Sequence, residues 1–357
     1  MLELCLRFTI FCFHLMPDSD SNDNQFFSHR QAMRPSVKTW VKHIALLILT
    51  FCTVTIAGSI YPFGSEMPFP NADPQNFTET LSFLLTLPGE YYHLISRTVD
   101  ALLHDREVLK HGLSFSLSLL FILTSHEMGH YIACRLYGVD ATLPFFIPTP
   151  PLIGPAGTFG AFIKILSPLP SRHATFDIGV AGPIAGFIAM IPIAVIGILT
   201  MPQVSPEQMA TSQSGLYFSD PLFTQILAFI FRVDLNLSFM NAFTSAAWIG
   251  LLVTALNLIP SGQLDGGHAI YAVFGERIHY WTGRIAFVVM VVLAILGFYF
   301  YNSPSGILFA VLLGIMMRIR HPEPLDNTPL DFKRKLVAFL TLVIFALCFT
   351  PFPIQVR

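Results

Sequence analysis

The cluster His126-Glu127-Met128-Gly129-His130 lies inside "FILTSHEMGHYIACRLYG", residues 121–138, a run otherwise apolar enough to sit in a bilayer. Ionisable side chains in hydrocarbon are costly unless they pair, line water or hold an ion. Any fold this chain adopts must bury that turn and compensate it. The composition supports the lipid setting. Of 357 residues, 53% are hydrophobic and 12% charged, against about 25% charged in a soluble domain. A net charge of −2 gives no drive toward nucleic acid. The five cysteines are scattered and form no CxxC pair, so neither a disulfide framework nor a thiolate metal site is expected.

Apolar runs long enough to span fall at about 41–60, 112–138, 174–200 and 238–259, followed by 283–301 and by the shorter 304–319 and 336–350. A ten-residue apolar segment at 222–231 suits the membrane interface. The residues between the second and third spans are crowded with Pro and Gly, and 157–165 alternates like a strand. The expected fold is an all-α multi-pass membrane protein of about 6–7 transmembrane helices, with a re-entrant loop or β-hairpin between the second and third spans. Residues 1–40 read as a polar, disordered cytoplasmic N-terminus, with Met16 and Met33 as alternative starts. Residues 41–110 read as the first span and an extracytoplasmic loop, 111–275 as the membrane core and 276–357 as C-terminal helices. Arg34, Lys38 and Lys42 before the first span, Arg135, Arg172 and Arg277 place the inward end of the core on the cytoplasmic side.

On a helix, H-E-x-x-H puts His126 and His130 one turn apart on the same face. Both can reach one Zn²⁺, with Glu127 beside it as a base for water. A catalytic zinc commonly takes three protein ligands, so a third is needed from elsewhere. Asp265 in "NLIPSGQLDGGHAI" (257–270), at the inward end of the fourth span, is the leading candidate, and His268 is the rival. His111, His279 and His321 read as surface or interface residues.

These residues carry a resemblance. HEMGH in an apolar helix, Gly182-Pro183-Ile184-Ala185-Gly186, and then "NLIPSGQLDGG" fitting N-x-x-P-x-x-x-x-D-G together resemble the site-2 protease family of intramembrane zinc metalloproteases, in the branch without an inserted PDZ domain. The resemblance spans roughly residues 110–350. It implies a single zinc held by His126, His130 and Asp265, with Glu127 as general base. It also implies cleavage of single-pass transmembrane protein substrates near the cytoplasmic face.

For substrate, Asn257 is a candidate hydrogen-bond donor, while Asn241 reads as an interhelical contact. The strand at 157–165, with Gly160 and Phe162, offers an edge on which an unwound peptide can pair. Gly182 and Gly186, at small-xxx-small spacing, read as close-packing residues against the helix of the cluster. Two other readings compete: a transporter or channel with an ion path through His, Glu and Asp, and a metal-binding factor without proteolysis. A bacterial inner membrane, with the site toward the cytoplasm, is the expected location.

Overall fold

The architecture comes from a computed structural model, described for residues 35–65, 76–207, 216–319 and 321–356. The amino-terminal leader and the alternative starts fall outside those residues. The chain runs through helices α1 (Val37–Ser59), α2 (Phe77–His104) and α3 (Arg106–Leu136), then strands β1 (Phe145–Pro148) and β2 (Thr158–Phe162). Next come α4 (Arg172–Leu199), β3 (Leu216–Phe218), α5 (Leu222–Phe231), α6 (Ala242–Asn257) and α7 (Asp265–Phe274). It finishes with α8 (Glu276–Tyr301), α9 (Ser305–Met316), α10 (Phe332–Cys348) and β4 (Ile354–Val356). Among the described residues, α1, α3, α4 and α8 are long and apolar enough to cross a membrane, and this is an integral membrane protein.

The helix starts follow local chemistry. Asp105 caps α3, its carboxylate accepting from Glu107 N at 2.8 Å. Asn241 and Thr244 form a reciprocal capping box at the start of α6. Pro183 and Pro192 sit inside α4 without ending it, as membrane helices allow where neighbours satisfy the freed backbone.

α4 is the centre of the molecule. It packs along α3 on one side and α6 on the other, with α7 across its first turns. The core between them contains Ile122, Phe176, Val180, Phe187, Met190 and Leu251. Close approach depends on missing side chains: a Cβ on Gly129 would stand 2.4 Å from Ala181 O, and one on Gly197 would stand 2.8 Å from Thr244 N.

The expected hairpin is present. β1 and β2 pair antiparallel with Phe145 opposite Phe162 and Phe146 opposite Ala161. An isolated bridge between Ala141 and Ile165 continues the pairing. The hairpin is pinned to α1, where Thr53 Oγ1 donates to Gly157 O at 2.8 Å.

Two elements differ from the sequence expectation. Residues 77–104, expected within an extracytoplasmic loop, form the 28-residue helix α2. Its Glu79, Glu90, Arg97 and Asp100 interrupt the apolar run, so hydropathy alone does not mark it as an element. The run at 238–259 is helical only over 16 residues. At 1.5 Å per residue that is about 24 Å, short of the roughly 30 Å hydrocarbon core. After Asn257 the chain leaves the helix, and the following turn buries Ser261 and gives Gly262 a φ of +55°.

Candidate metal centre

That shortened helix delivers Asp265 to the cluster. A turn at 258–264 reverses the chain and α7 begins at Asp265. The two glycines of D-G-G make the turn feasible: a Cβ on Gly266 would stand 2.0 Å from Leu258 O, and one on Gly267 would stand 2.5 Å from Gly262 O. The side chain of His279 on α8 donates from Nε2 to Gly262 O at 3.0 Å and braces the turn from outside.

His126 and His130 lie on the α4-facing side of α3, 4% and 7% exposed. Their Nε2 atoms are 3.1 Å apart. Asp265 Oδ2 lies 3.3 Å from His126 Nε2 and Oδ1 lies 3.4 Å from His130 Nε2. Among the described residues these three form a group that could hold a metal ion. The spacing matches the chemistry. Zinc–ligand bonds of about 2.0–2.1 Å at a tetrahedral angle separate donor atoms by about 3.3 Å.

The tautomer of His130 follows from its partner. Nδ1 lies 2.7 Å from Ile178 O. A carbonyl only accepts, so Nδ1 carries the proton and Nε2 presents its lone pair to the centre. Gly182 stands directly behind that nitrogen, because a Cβ there would lie 2.0 Å from His130 Nε2. Gly186 plays the same part for His126, because a Cβ there would lie 3.1 Å from His126 Cβ and 3.2 Å from its Nδ1. The small residues of the Gly182–Gly186 segment therefore clear space for the two imidazoles as well as for the helix contact.

Ile178 is held in place by its neighbour. The carboxylate of Asp177 receives the guanidinium of Arg334 on α10, with Nε at 3.0 Å from Oδ1 and Nη2 at 2.8 Å from Oδ2. Tyr137, at the end of α3, donates its hydroxyl to the same carboxylate. Arg334 Nη1 also reaches Asp331 Oδ2 at 3.0 Å. One buried ion pair thus fixes α3, α4 and α10 to each other beside the carbonyl that orients His130. The sequence reading missed this clamp. Asp177 inside the apolar run 174–200 was the available signal, since a charge there calls for a partner.

Glu127 is buried next to both histidines, and the Ile163 backbone N–H, just beyond β2, lies on the side of its carboxylate. The hairpin therefore passes directly over the general-base candidate. Asn257, the last residue of α6, brings Nδ2 to 3.3 Å from His126 Nε2. Gly160 has a φ of +93° with open space where a Cβ would be, and Phe162 is 44% exposed. Both lie on β2, which among the described residues has β1 as its single neighbour.

The remaining histidines are engaged elsewhere. His268 Nδ1 lies 2.7 Å from His321 Nε2, whose own Nδ1 donates to Pro322 O. The protons are then fixed, His268 donating and His321 accepting. Burial, helped by His268 and His279, pushes the imidazole of His321 down to about 3, and its ring stacks on Tyr271 at 4.1 Å. His111 bonds to Phe63 O at 2.7 Å. Asn241 donates across to Gly197 O at 2.9 Å, an interhelical contact as expected.

With this geometry in hand, the comparisons are specific. The model of peptidase family M50 matches residues 114–298, which includes every residue of the three-ligand group. The chain is 29% identical over 248 residues to "Probable zinc metalloprotease EGY1, chloroplastic" of Arabidopsis thaliana, covering 67% of this chain and 43% of that protein. It is 28% identical over 227 residues to "Probable zinc metalloprotease EGY2, chloroplastic" of the same plant, covering 61% and 39%. The EGY1 protein of Oryza sativa subsp. japonica is 29% identical over 254 residues, covering 69% and 40%. The chain spans about two fifths of the length of these curated relatives. No solved structure matches it.

Proposed function

The chain belongs to peptidase family M50, and from that premise we propose that it is a zinc-dependent intramembrane endopeptidase that hydrolyses peptide bonds in transmembrane segments. The observation that carries this reading is the meeting of two imidazole nitrogens and one carboxylate within 3.1–3.4 Å, with the Glu127 carboxylate buried alongside. His126, His130 and Asp265 hold the ion. When bound, zinc acts as a Lewis acid toward a peptide carbonyl and brings the pKa of a water to about 7. The names printed for the plant relatives, zinc metalloproteases, support the choice of metal.

The protein's own groups perform the proton work. Glu127, buried beside both histidines, takes a proton from the attacking water and returns it to the departing amine. Asn257 donates from Nδ2 toward the substrate carbonyl or the charge that develops on it. A helical substrate conceals its amides in its own hydrogen bonds, so it must unwind before cleavage. The unpaired edge of β2 then binds the extended segment as an added strand. Gly160 leaves that edge open, and Phe162 gives an apolar wall for a substrate side chain. The substrates are single-pass transmembrane proteins, cut toward the membrane face that carries the basic loops. In a bacterial inner membrane that face is the cytoplasm. The relatives are named as chloroplastic, and the side is set by the same charges in either membrane.

The test is reconstitution of the Glu127→Gln protein in vesicles with a model single-pass peptide. Zinc content should be unchanged, and cleavage should fall by about 10²–10⁴-fold, the usual contribution of a positioned general base. Undiminished cleavage would remove Glu127 from this role. Ion flux across the vesicles without any cleavage would favour the transporter reading instead.

A further inference from the structure

Away from the metal centre, α8 and α9 form a helical hairpin on the outer side of the molecule. Between them runs a groove of about 970 Å³. Its walls are apolar, with Phe287 and Ile295 on α8 and Ile307 and Ile315 on α9. Two cationic residues also line it, Arg284 and Arg318, and among the described residues no carboxylate does. Neither guanidinium has a carboxylate partner among the described residues. Arg284 instead stacks on the ring of Tyr280 at 3.2 Å and donates to the Tyr280 carbonyl.

The shape restricts what can occupy this space. The helices touch where a Cβ on Gly306 would stand 2.7 Å from Ala294 Cα, and where one on Gly314 would stand 3.3 Å from the Phe287 ring. A helix about 10 Å across does not enter such a cleft, but a single hydrocarbon chain does. From Arg284 to Tyr299 the groove follows about 22 Å of helix at 1.5 Å per residue, compared with about 15 Å for one leaflet of a 30 Å hydrocarbon core. α9, at 12 residues, covers only about 18 Å and so stops short of the full length of the 26-residue α8 beside it.

We propose that this groove binds one anionic phospholipid, its phosphate on Arg284 and Arg318 and an acyl chain laid along the α8–α9 seam. Charge complementarity selects the headgroup. Unneutralised guanidinium groups match phosphate oxygens in pairs, and basic pockets between membrane helices on the cytoplasmic side favour anionic headgroups. The charged end of the groove also abuts the turn that carries Asp265: a Cβ on Gly262 would lie 2.5 Å from Met316 O, two residues before Arg318. A bound lipid therefore braces the helix end against which that turn rests.

The experiment uses the full chain in nanodiscs of phosphatidylcholine with a minor fraction of phosphatidylglycerol. Native mass spectrometry then counts the lipids retained after release, so the readout is independent of any protease activity. The protein should keep one phosphatidylglycerol. In Arg284→Gln/Arg318→Gln its retention should drop roughly 30-fold, the factor two cationic groups contribute at a membrane surface. Gly314→Leu, which fills the groove beside Phe287, should lose the phosphatidylglycerol as well, while circular dichroism shows the helices intact. Glycerol phosphate, a headgroup without chains, should not displace the lipid. Phosphatidylglycerol retention undiminished from the parent in either variant overturns the site, and so does displacement by glycerol phosphate. A dimer that dissolves in Gly314→Leu would assign the groove to a second copy and overturn it likewise.

Discussion

The two halves of the proposed metal centre are built in opposite ways. His126 and His130 come from one unbroken helix of 31 residues, so their spacing is fixed by local hydrogen bonding, and the rest of the chain supplies only the orientation of the His130 ring through the Ile178 carbonyl. Asp265 comes from the first residue of a separate ten-residue helix, reached through a turn that exists only because its glycines allow backbone to touch backbone. The helical half is rigid but presents just two donors. The turn-borne half completes the set but depends on tertiary support from α8 and α9. A bundle can thus carry its chemistry on a strong local element while the last ligand remains adjustable.

Breaking the support of the helical half should have the largest effect. Arg334→Met leaves the Asp177 carboxylate buried without its guanidinium, and loss of one partner of a buried pair costs about 3–5 kcal/mol. Thermal unfolding in detergent should show this, with much of the loss recovered in Asp177→Leu/Arg334→Met, where no unpaired charge remains. Next in size is Gly182→Ala. A Cβ 2.0 Å from His130 Nε2 displaces the ring, and zinc affinity measured by chelator competition should weaken by at least about 100-fold, beyond the usual loss of an outer partner.

Gly266→Ala attacks the other half. The backbone of the turn must move away from Leu258 O, and zinc should bind about 10-fold more weakly while the two imidazoles stay in place. If Gly266→Ala weakened zinc more than Gly182→Ala does, the rigid-versus-adjustable contrast would be reversed. The smallest effect belongs to Asn241→Ala. It removes the α6 cap and costs about 1 kcal/mol of stability, with zinc affinity within twofold of the parent.

How much of this the sequence disclosed follows the same division. The i,i+4 pair could be read from spacing because helix geometry is local. Asp265 could be nominated from its motif, and Pro260 and Gly262 mark a break after the run, but its distance to the imidazoles depends on the path of the turn at 258–264, which backbone packing sets. The Ile178 carbonyl was invisible, because backbone groups carry no residue signature. Arg334 and Asp177 looked like flanking and interior charges of two different runs, and only packing brings them together. The hairpin was readable from its Pro and Gly content and its alternation. α2 was not, since its four charged residues lowered the hydropathy that marks the other long helices.

X-ray absorption at the zinc edge on the purified protein and on Asp265→Ala tests the centre most directly. The account predicts one zinc per chain with two imidazole nitrogens and oxygen donors at about 2.0–2.2 Å and no sulfur at about 2.3 Å, and it predicts loss of a protein oxygen ligand and of bound metal in the variant. A full complement of zinc with an unchanged spectrum in Asp265→Ala would contradict it.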